Sequence, residues 1–473
     1  MAVSRLVLPT PDTDRLSTPR RRAVAAWLLP VGAVGALLAV LIPISVNGAV
    51  GAGLALAVAG TLLMLAVVGL ERTAIVVLAV GIALSPLDNF RPVGAIAFAA
   101  LSDLVLLAGL LLLVLVLLGR RLPGEWLFLG AAAALVVVGL VSSAGAEDPG
   151  ASLNSLLRLV VGALLLPLAF MVWRPSRRVV VGFALAYVLG NIGNLVAAYT
   201  VGGASWDGRR IGYSTHPNIM GLCAMLALAL LPFLLRVLPR RWSWAVVLMG
   251  GACAWGVWIS GSRAALMAAV AVAVLFVVIE RRVEIALVLF GLAIPAIYVV
   301  GQAVTGNGAS QNNVLGRLLG GGTAAGSDLD RENLARIALD AFTSHPLLGV
   351  GLGDVMAAHN IYLQVAAAVG IIGLAVYLVL LGSVALRAIT LPRPWNLLVL
   401  PVLGYALIGS LTTILWDRYV WAVLALPFLL CLGDRDEDGE SSDEPGSEST
   451  VPEGTGPAAL VADPRRRTAP PLG

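Results

Sequence analysis

The chain has 473 residues, 59% of them hydrophobic and only 12% charged, with a mean hydropathy of +0.94. That balance excludes a soluble globular domain of this length, and few aromatics (6%) without alternating segments of about ten residues argue against a membrane β-barrel. The net charge of +4 comes from arginines alone, since no lysine occurs; they lie between apolar runs and do not form a nucleic-acid footprint.

Apolar runs of about twenty residues recur along the chain, each long enough to cross a bilayer as a helix. Backbone groups in lipid must bond internally, so the expected fold class is an all-α polytopic membrane protein. Residues 1–22 are polar and end in Arg20, Arg21 and Arg22. The run from Ala23 to Val46 reads as a retained first helix rather than a cleaved signal. Further spans are predicted near 48–70, 73–87, 101–119, 125–143, 152–172, 179–200, 216–236, 243–261, 264–280, 283–303, 360–386, 396–414 and 416–432. The transmembrane domain then covers 23–432 with about 12–14 helices. The segment 433–473, acidic and then Pro/Ser/Gly-rich, reads as a disordered tail. Cys223, Cys253 and Cys431 lie in apolar runs without metal-ligand spacing and read as small buried hydrophobes.

Arginines set the expected orientation. Arg20 to Arg22, Arg120/Arg121, Arg174/Arg177/Arg178, Arg236/Arg240/Arg241, Arg281/Arg282 and Arg387/Arg393 fall on alternate loops, which the positive-inside rule makes cytoplasmic together with both termini. Three segments are then extracytoplasmic: 201–215, the turn 260–263 and the long loop 304–359. Each carries arginine where the rule does not ask for it.

In the long loop, "SDLDRENLARIALDAFTSHPLLG" predicts a helix with Asp328 and Asp330 as capping candidates, Glu332 in the first turn, and Leu334, Ile337, Ala338, Ala341 and Phe342 at helical spacing. "GVGLGD" (349–354) follows no strand and reads as a tight turn back into the membrane, not a dinucleotide loop. His359 and Asn360 open the next span, where unpaired helix N–H groups disfavour imidazolium. A neutral ring there suits a general base; the pair reads equally as a helix cap or an interfacial anchor. In "WISGSRAALMA", Arg263 breaks two apolar spans with only Ser260, Gly261 and Ser262 as a turn. A mid-membrane arginine costs about 2.5–3.5 kcal/mol on insertion scales, so a ligand role stands beside simple snorkelling. In "WDGRRIGYSTHPN", Arg209 and Arg210 precede the span starting at His216. Taken together, arginine forks and a neutral base on one membrane face suit group transfer from a lipid diphosphate.

These residues resemble the O-antigen ligase and polymerase superfamily of bacterial membrane glycosyltransferases. The likeness lies in "RRIGYSTHPNIMG" (209–221), "SGSRAAL" (260–266), "DRENLARIALDAFTSHPLLGVGLGD...HNIYLQVAAAVGIIGLAVYL" (330–378) and "SPLDNFRP...LSDLVLLAGLLL" (85–112), and spans roughly 70–430. The resemblance implies a membrane glycosyltransferase (GT-C-like) bundle with one large extracytoplasmic loop, working without cofactor or metal. It implies an undecaprenyl-diphosphate-linked glycan donor and a glycan, lipid or protein acceptor. By position, His359 matches the catalytic histidine and Arg263 the Ser-Arg arginine. Arg210 best matches the arginine before Pro-Asn and would clamp the diphosphate with Arg263, with Arg209 as the alternative; Arg331 matches an arginine of the loop helix, and Asn360 is a supporting group. Members ligate, polymerise or glycosylate proteins, and fold alone does not choose between them. A lipid-linked oligosaccharide transporter would instead need polar residues along a transmembrane path, whereas here they cluster at span ends. A non-catalytic scaffold of an envelope assembly would tolerate loss of His359.

Overall fold

The computed structural model describes residues 56, 58–91, 100–120, 124–200, 205–206, 208–281, 312–353, 358–412 and 417–430. The spans expected at 23–46 and 283–303, Cys431 and the tail 433–473 lie outside them. The helices are α1 (Val58–Val68), α2 (Leu70–Leu84), α3 (Leu101–Leu117), α4 (Trp126–Ala144), α5 (Pro149–Trp173), α6 (Arg177–Thr200) and α7 (Pro217–Val237). They continue with α8 (Ser243–Ser260), α9 (Arg263–Glu280), α10 (Val314–Leu318), α11 (Ala324–Ser344), α12 (Ile361–Ile389), α13 (Val399–Gly409) and α14 (Arg418–Leu424). A two-residue antiparallel ribbon, β1 (Ser205–Trp206) with β2 (Arg209–Arg210), precedes α7.

Among the described residues, seven helices are long and apolar enough to cross a membrane: α4 to α9 and α12, α8 counted with its leading turn from Arg240. The protein is thus an all-α polytopic membrane protein. α7 forms its axis. Of its most apolar stretch 78% is buried, against 22% for α9, and it packs on α6, α8, α9 and α13. Gly190 of α6 lets that helix meet α2, for a Cβ there would lie 1.8 Å from the Ala83 carbonyl.

Besides α12, three spans differ from the simple expectation. α5 contains a π-turn over Val160–Leu165, just before Pro167. The proline nitrogen cannot donate to the carbonyl four residues back, and the widened turn absorbs that loss. The two last expected spans are short: α13 starts only after prolines 392 and 394 and a 3-10 turn at Trp395–Leu398, and α14 ends before the Pro427 turn. Residues 419–430 are buried throughout, so their apolar run is protein core; hydropathy alone cannot separate that from a lipid-facing span.

α12 is broken at Gly370, whose φ of +71° and ψ of −175° are not helical. The break strands backbone groups at membrane depth, and the loop after α11 satisfies them. Val350 N donates to Ala367 O (3.0 Å), Gly351 N to Ala368 O (2.9 Å) and Ile371 N to Pro346 O (2.9 Å). Ser142 Oγ of α4 adds a bond to Ala368 O (2.6 Å). Such irregular backbone is tolerated in a membrane where protein encloses it. Glycines on both sides permit the contact: a Cβ on Gly349 of the loop would stand 2.3 Å from Ala368 C, and one on Gly370 of α12 2.0 Å from Leu347 O.

The loops sort into two ends. At one, Arg120 donates to Trp173 O, Trp173 Nε1 to Glu71, and Arg393 to Ile279 O. Ion pairs Arg236–Glu280 and Arg387–Glu125 lie at the same end. At the other, Thr215 N and Oγ donate to the Asp88 carboxylate (3.1 and 2.6 Å), and Asn89 N to Tyr213 O. There Arg418 ties α14 to Asp88 O, Ser102 and Asp103.

Candidate active site

The site is built around the turn between α8 and α9. Gly261 adopts a left-handed conformation (φ +62°), and a Cβ would come within 2.4 Å of Asn312 O. Ser262 caps α9 through a bond from Ala265 N to its Oγ (3.3 Å), and Ser260 Oγ accepts from Ser262 N (3.2 Å). Arg263 therefore leaves the first position of α9 from a fully bonded turn. Gly221 of α7 gives this turn its seat, since a Cβ there would lie 2.7 Å from Ser260 Oγ.

Two buried arginines grip the same turn. Arg209 Nε donates to Ser260 O (2.7 Å) and its NH2 to Asn218 Oδ1 (2.8 Å); Arg317 of α10 donates to Gly261 O (2.8 Å). Arg210 goes the other way. It is exposed, donates to Ala198 O (3.2 Å) and lies over the Tyr199 ring, 5.1 Å from its centroid. Adjacent residues of a ribbon point to opposite faces, so only one of this pair can face the turn.

α11 lies over the site, anchored on α12 by Ala338, Ala341 and Phe342 against Ala358, Leu363 and Ala367. Ile337 instead is exposed. The helix begins at Ala324, earlier than expected, so Asp328 and Asp330 are interior residues and not caps; Thr323 holds the N-cap position. Asp328 has a different task. Its carboxylate accepts both terminal nitrogens of Arg263 and lies 3.6 Å from Arg331 NH1. These bonds from Arg263, followed by nearby positive charge, hold the carboxyl below its usual range.

His359 stands one residue before the N-cap of α12, with φ +50°. The cap belongs to Asn360, whose Oδ1 accepts from Tyr362 N (3.0 Å) and Leu363 N (3.1 Å). The ring is half-buried and its Nδ1 has no hydrogen-bond partner among the described residues. Burial, then the positive charge of Arg331, lowers its pKa, with Asp330 opposing. Burial and Arg331 thus shift the ring in the direction that favours its neutral form. A left-handed histidine is uncommon and marks a backbone held by its surroundings.

His216 is a residue that sequence reasoning passed over. It caps α7, its Nδ1 accepting from Asn218 N (3.1 Å). Burial and then the charges of Arg209, His359, Arg331 and Arg317 push its pKa down to about 4. Its signal was visible: one of three histidines, at a helix start beside an arginine pair. Arg317, in a glycine-rich stretch, carried none.

The structure thus brings Arg263, Arg331 and His359 together, sets Arg209 behind them and leaves Arg210 outside. The fold defines a polytopic helical membrane protein with a cationic, histidine-bearing site at one end. Residues 251–378, from within α8 into α12, match the family model described as O-antigen ligase, so this part of the chain is similar to that family. That similarity supports an O-antigen ligase-type function in surface-polysaccharide biosynthesis. No curated protein matches the chain.

Proposed function

We propose that the protein is a glycosyltransferase that moves a glycan from an undecaprenyl-diphosphate carrier to an acceptor hydroxyl at the outer face of the cytoplasmic membrane. The observation that carries this reading is the convergence of Arg263 and Arg331 on one anion, Asp328, beside the neutral ring of His359. A carboxylate bound by a guanidinium fork marks a place where phosphate oxygens bind equally well. Arg263 and Arg331 hold the donor diphosphate, so guanidinium charge supplies the electrostatic stabilisation without a metal. His359 takes the acceptor proton as the acceptor oxygen bonds to sugar C1 and the C1–O bond to the diphosphate breaks, with inversion at C1. α11 covers the reacting atoms and limits hydrolysis. Arg209 serves as the brace of the Arg263 turn, and Arg210 stands outside the clamp. The arginine-rich loops at the opposite end support a cytoplasmic placement for that end.

The test compares lipid-linked glycans, by mass spectrometry and gel, in cells carrying wild-type protein, His359→Ala or Arg263→Ala at matched expression. Accumulated single repeat units identify a polymerase, and long polymer stranded on its carrier a ligase. Unchanged profiles with normal surface glycan refute the reading.

A further inference from the structure

Resting on the proposed diphosphate site, we infer that Asp88 is a positioning residue of the arginine clamp: through Thr215, its carboxylate fixes the strip of chain that carries Arg209 against the turn of Arg263. Asp88 lies in "SPLDNF" (85–90), between α2 and α3. It is buried, and both its oxygens accept from one residue, Oδ1 from Thr215 N (3.1 Å) and Oδ2 from Thr215 Oγ1 (2.6 Å). Burying a carboxylate is costly unless such bonds offset it, and a plain packing contact asks for no charge. The neighbouring bonds act on the same strip. Asn89 N donates to Tyr213 O (2.8 Å), and the Phe90 and Tyr213 rings meet at 4.7 Å. Asn194 of α6 accepts from Tyr213 N (2.7 Å) and donates to Ser214 Oγ (2.9 Å). Residues 213–215 are thus bound one after another to α6 and to the stretch after α2.

That strip joins the two parts of the base of the site. It follows Arg209 and Arg210 of β2 and runs into His216, the N-cap of α7. Arg209 spans both parts: its NH2 donates to Asn218 Oδ1 (2.8 Å) in the first turn of α7, and its Nε to Ser260 O (2.7 Å) in the turn that launches Arg263. Every link from Asp88 to that turn is therefore a hydrogen bond or a few residues of chain. On its other side, Arg418 secures Asp88 by donating to its backbone O (3.0 Å), while Arg418 Nε donates to Ser102 Oγ (2.8 Å). Asp88 touches no reacting atom in this scheme; it acts through where Arg209 stands. Paired guanidinium bonds demand exact placement, and a misplacement of about 1 Å set up far from the chemistry can cost about a hundredfold.

The test separates positioning from mere stability. Purified full-length protein is titrated with inorganic diphosphate well below its unfolding temperature, with thermal unfolding recorded in parallel. Asp88→Asn leaves one acceptor oxygen and Thr215→Val removes only the hydroxyl, so both lose the 2.6 Å bond. We expect each to bind diphosphate about tenfold more weakly, and the double variant no more weakly than either single one. Thr215→Ser keeps the hydroxyl and should bind within about threefold of wild type. Ser102→Ala loosens the same end without touching Thr215 and should bind as wild type does. A lower melting temperature with wild-type affinity in Asp88→Asn and Thr215→Val overturns the inference, and so does equal weakening by Ser102→Ala. If Asp88→Asn fails to fold, Thr215→Val against Thr215→Ser decides alone. Arg263→Ala in the same titration tells the two readings apart. If it weakens binding while the Asp88 and Thr215 variants do not, only the role of Asp88 falls. If the wild type does not respond to diphosphate, or Arg263→Ala binds it as the wild type does, the site itself is misread and both fall.

Discussion

In the proposed mechanism His359 and Arg263 carry the chemistry, and they give the most direct predictions. Replacing His359 by Gln, which fits but cannot take a proton, should lower transfer at least about a hundredfold, measured as glycan transferred per unit time. The wild-type rate should fall on acidification, because the base works only when neutral. Its pKa is lowered from 6.5, so the midpoint of that fall lies below 6.5 and the glutamine variant shows no such limb. Asp328, held below 3.8, stays ionised over that range and does not confuse the result. Arg263→Lys should lose about ten- to a hundredfold, since an ammonium cannot form the paired bonds that the guanidinium makes with Asp328. Arg210→Ala should stay near wild type. The arginine pair shows where sequence reading stops: "RR" is visible at once, yet only the ribbon decides which guanidinium meets Ser260. His359 and Arg263 stood out in the sequence because a lone ring and a lone cation in apolar surroundings need a reason. His216 hid as an apparent helix start, and three of the groups that act on its ring electrostatically, His359, Arg331 and Arg317, lie a hundred residues or more along the chain.

At the scale of elements, the broken α12 and the helix lying over it make separate predictions. Gly370→Ala sets a Cβ 2.0 Å from Leu347 O at a positive φ and should destabilise the protein by about 3 kcal/mol or more, seen as loss of monodisperse protein in detergent. Gly382→Ala in the same helix meets nothing within 4 Å and should leave the protein as stable or add about 0.5–1 kcal/mol. Asp328→Asn removes the charge that holds Arg263 and Arg331 side by side, and amide exchange over 324–344 should quicken while α12 is unchanged. Most helices were readable from hydropathy, α7 and α9 to within a residue or two. The break at Gly370 was not, because its cause is a loop some twenty residues earlier; nor was the short α14, whose burial depends on neighbours far along the chain. The glycines of "GVGLG" did announce a tight passage, and the passage is a docking against α12.

For the whole molecule, the sorting of loops into two ends has a topological consequence that labelling can read. In a Cys431→Ser background, with Cys223 and Cys253 buried, an impermeant maleimide should label Asp340→Cys in intact cells. It should reach Arg241→Cys only after permeabilisation, and the reverse order would overturn the orientation. The broken helix also bears on the order of assembly. The bonds from Val350, Gly351 and Ile371 join segments within about 25 residues of one another, so this hairpin closes on itself as the chain is made. Its distant ties, Ser142 to Ala368 across 226 residues and Leu352 to Ser152 across 200, are serine side chains on helices made much earlier. A serine hydroxyl can bond within its own helical turn while it waits. The bundle can therefore insert α4 and α5 with no exposed polar debt and accept a prefolded wedge later. The last hydrogen bonds formed at that depth are those that a waiting helix can best defer.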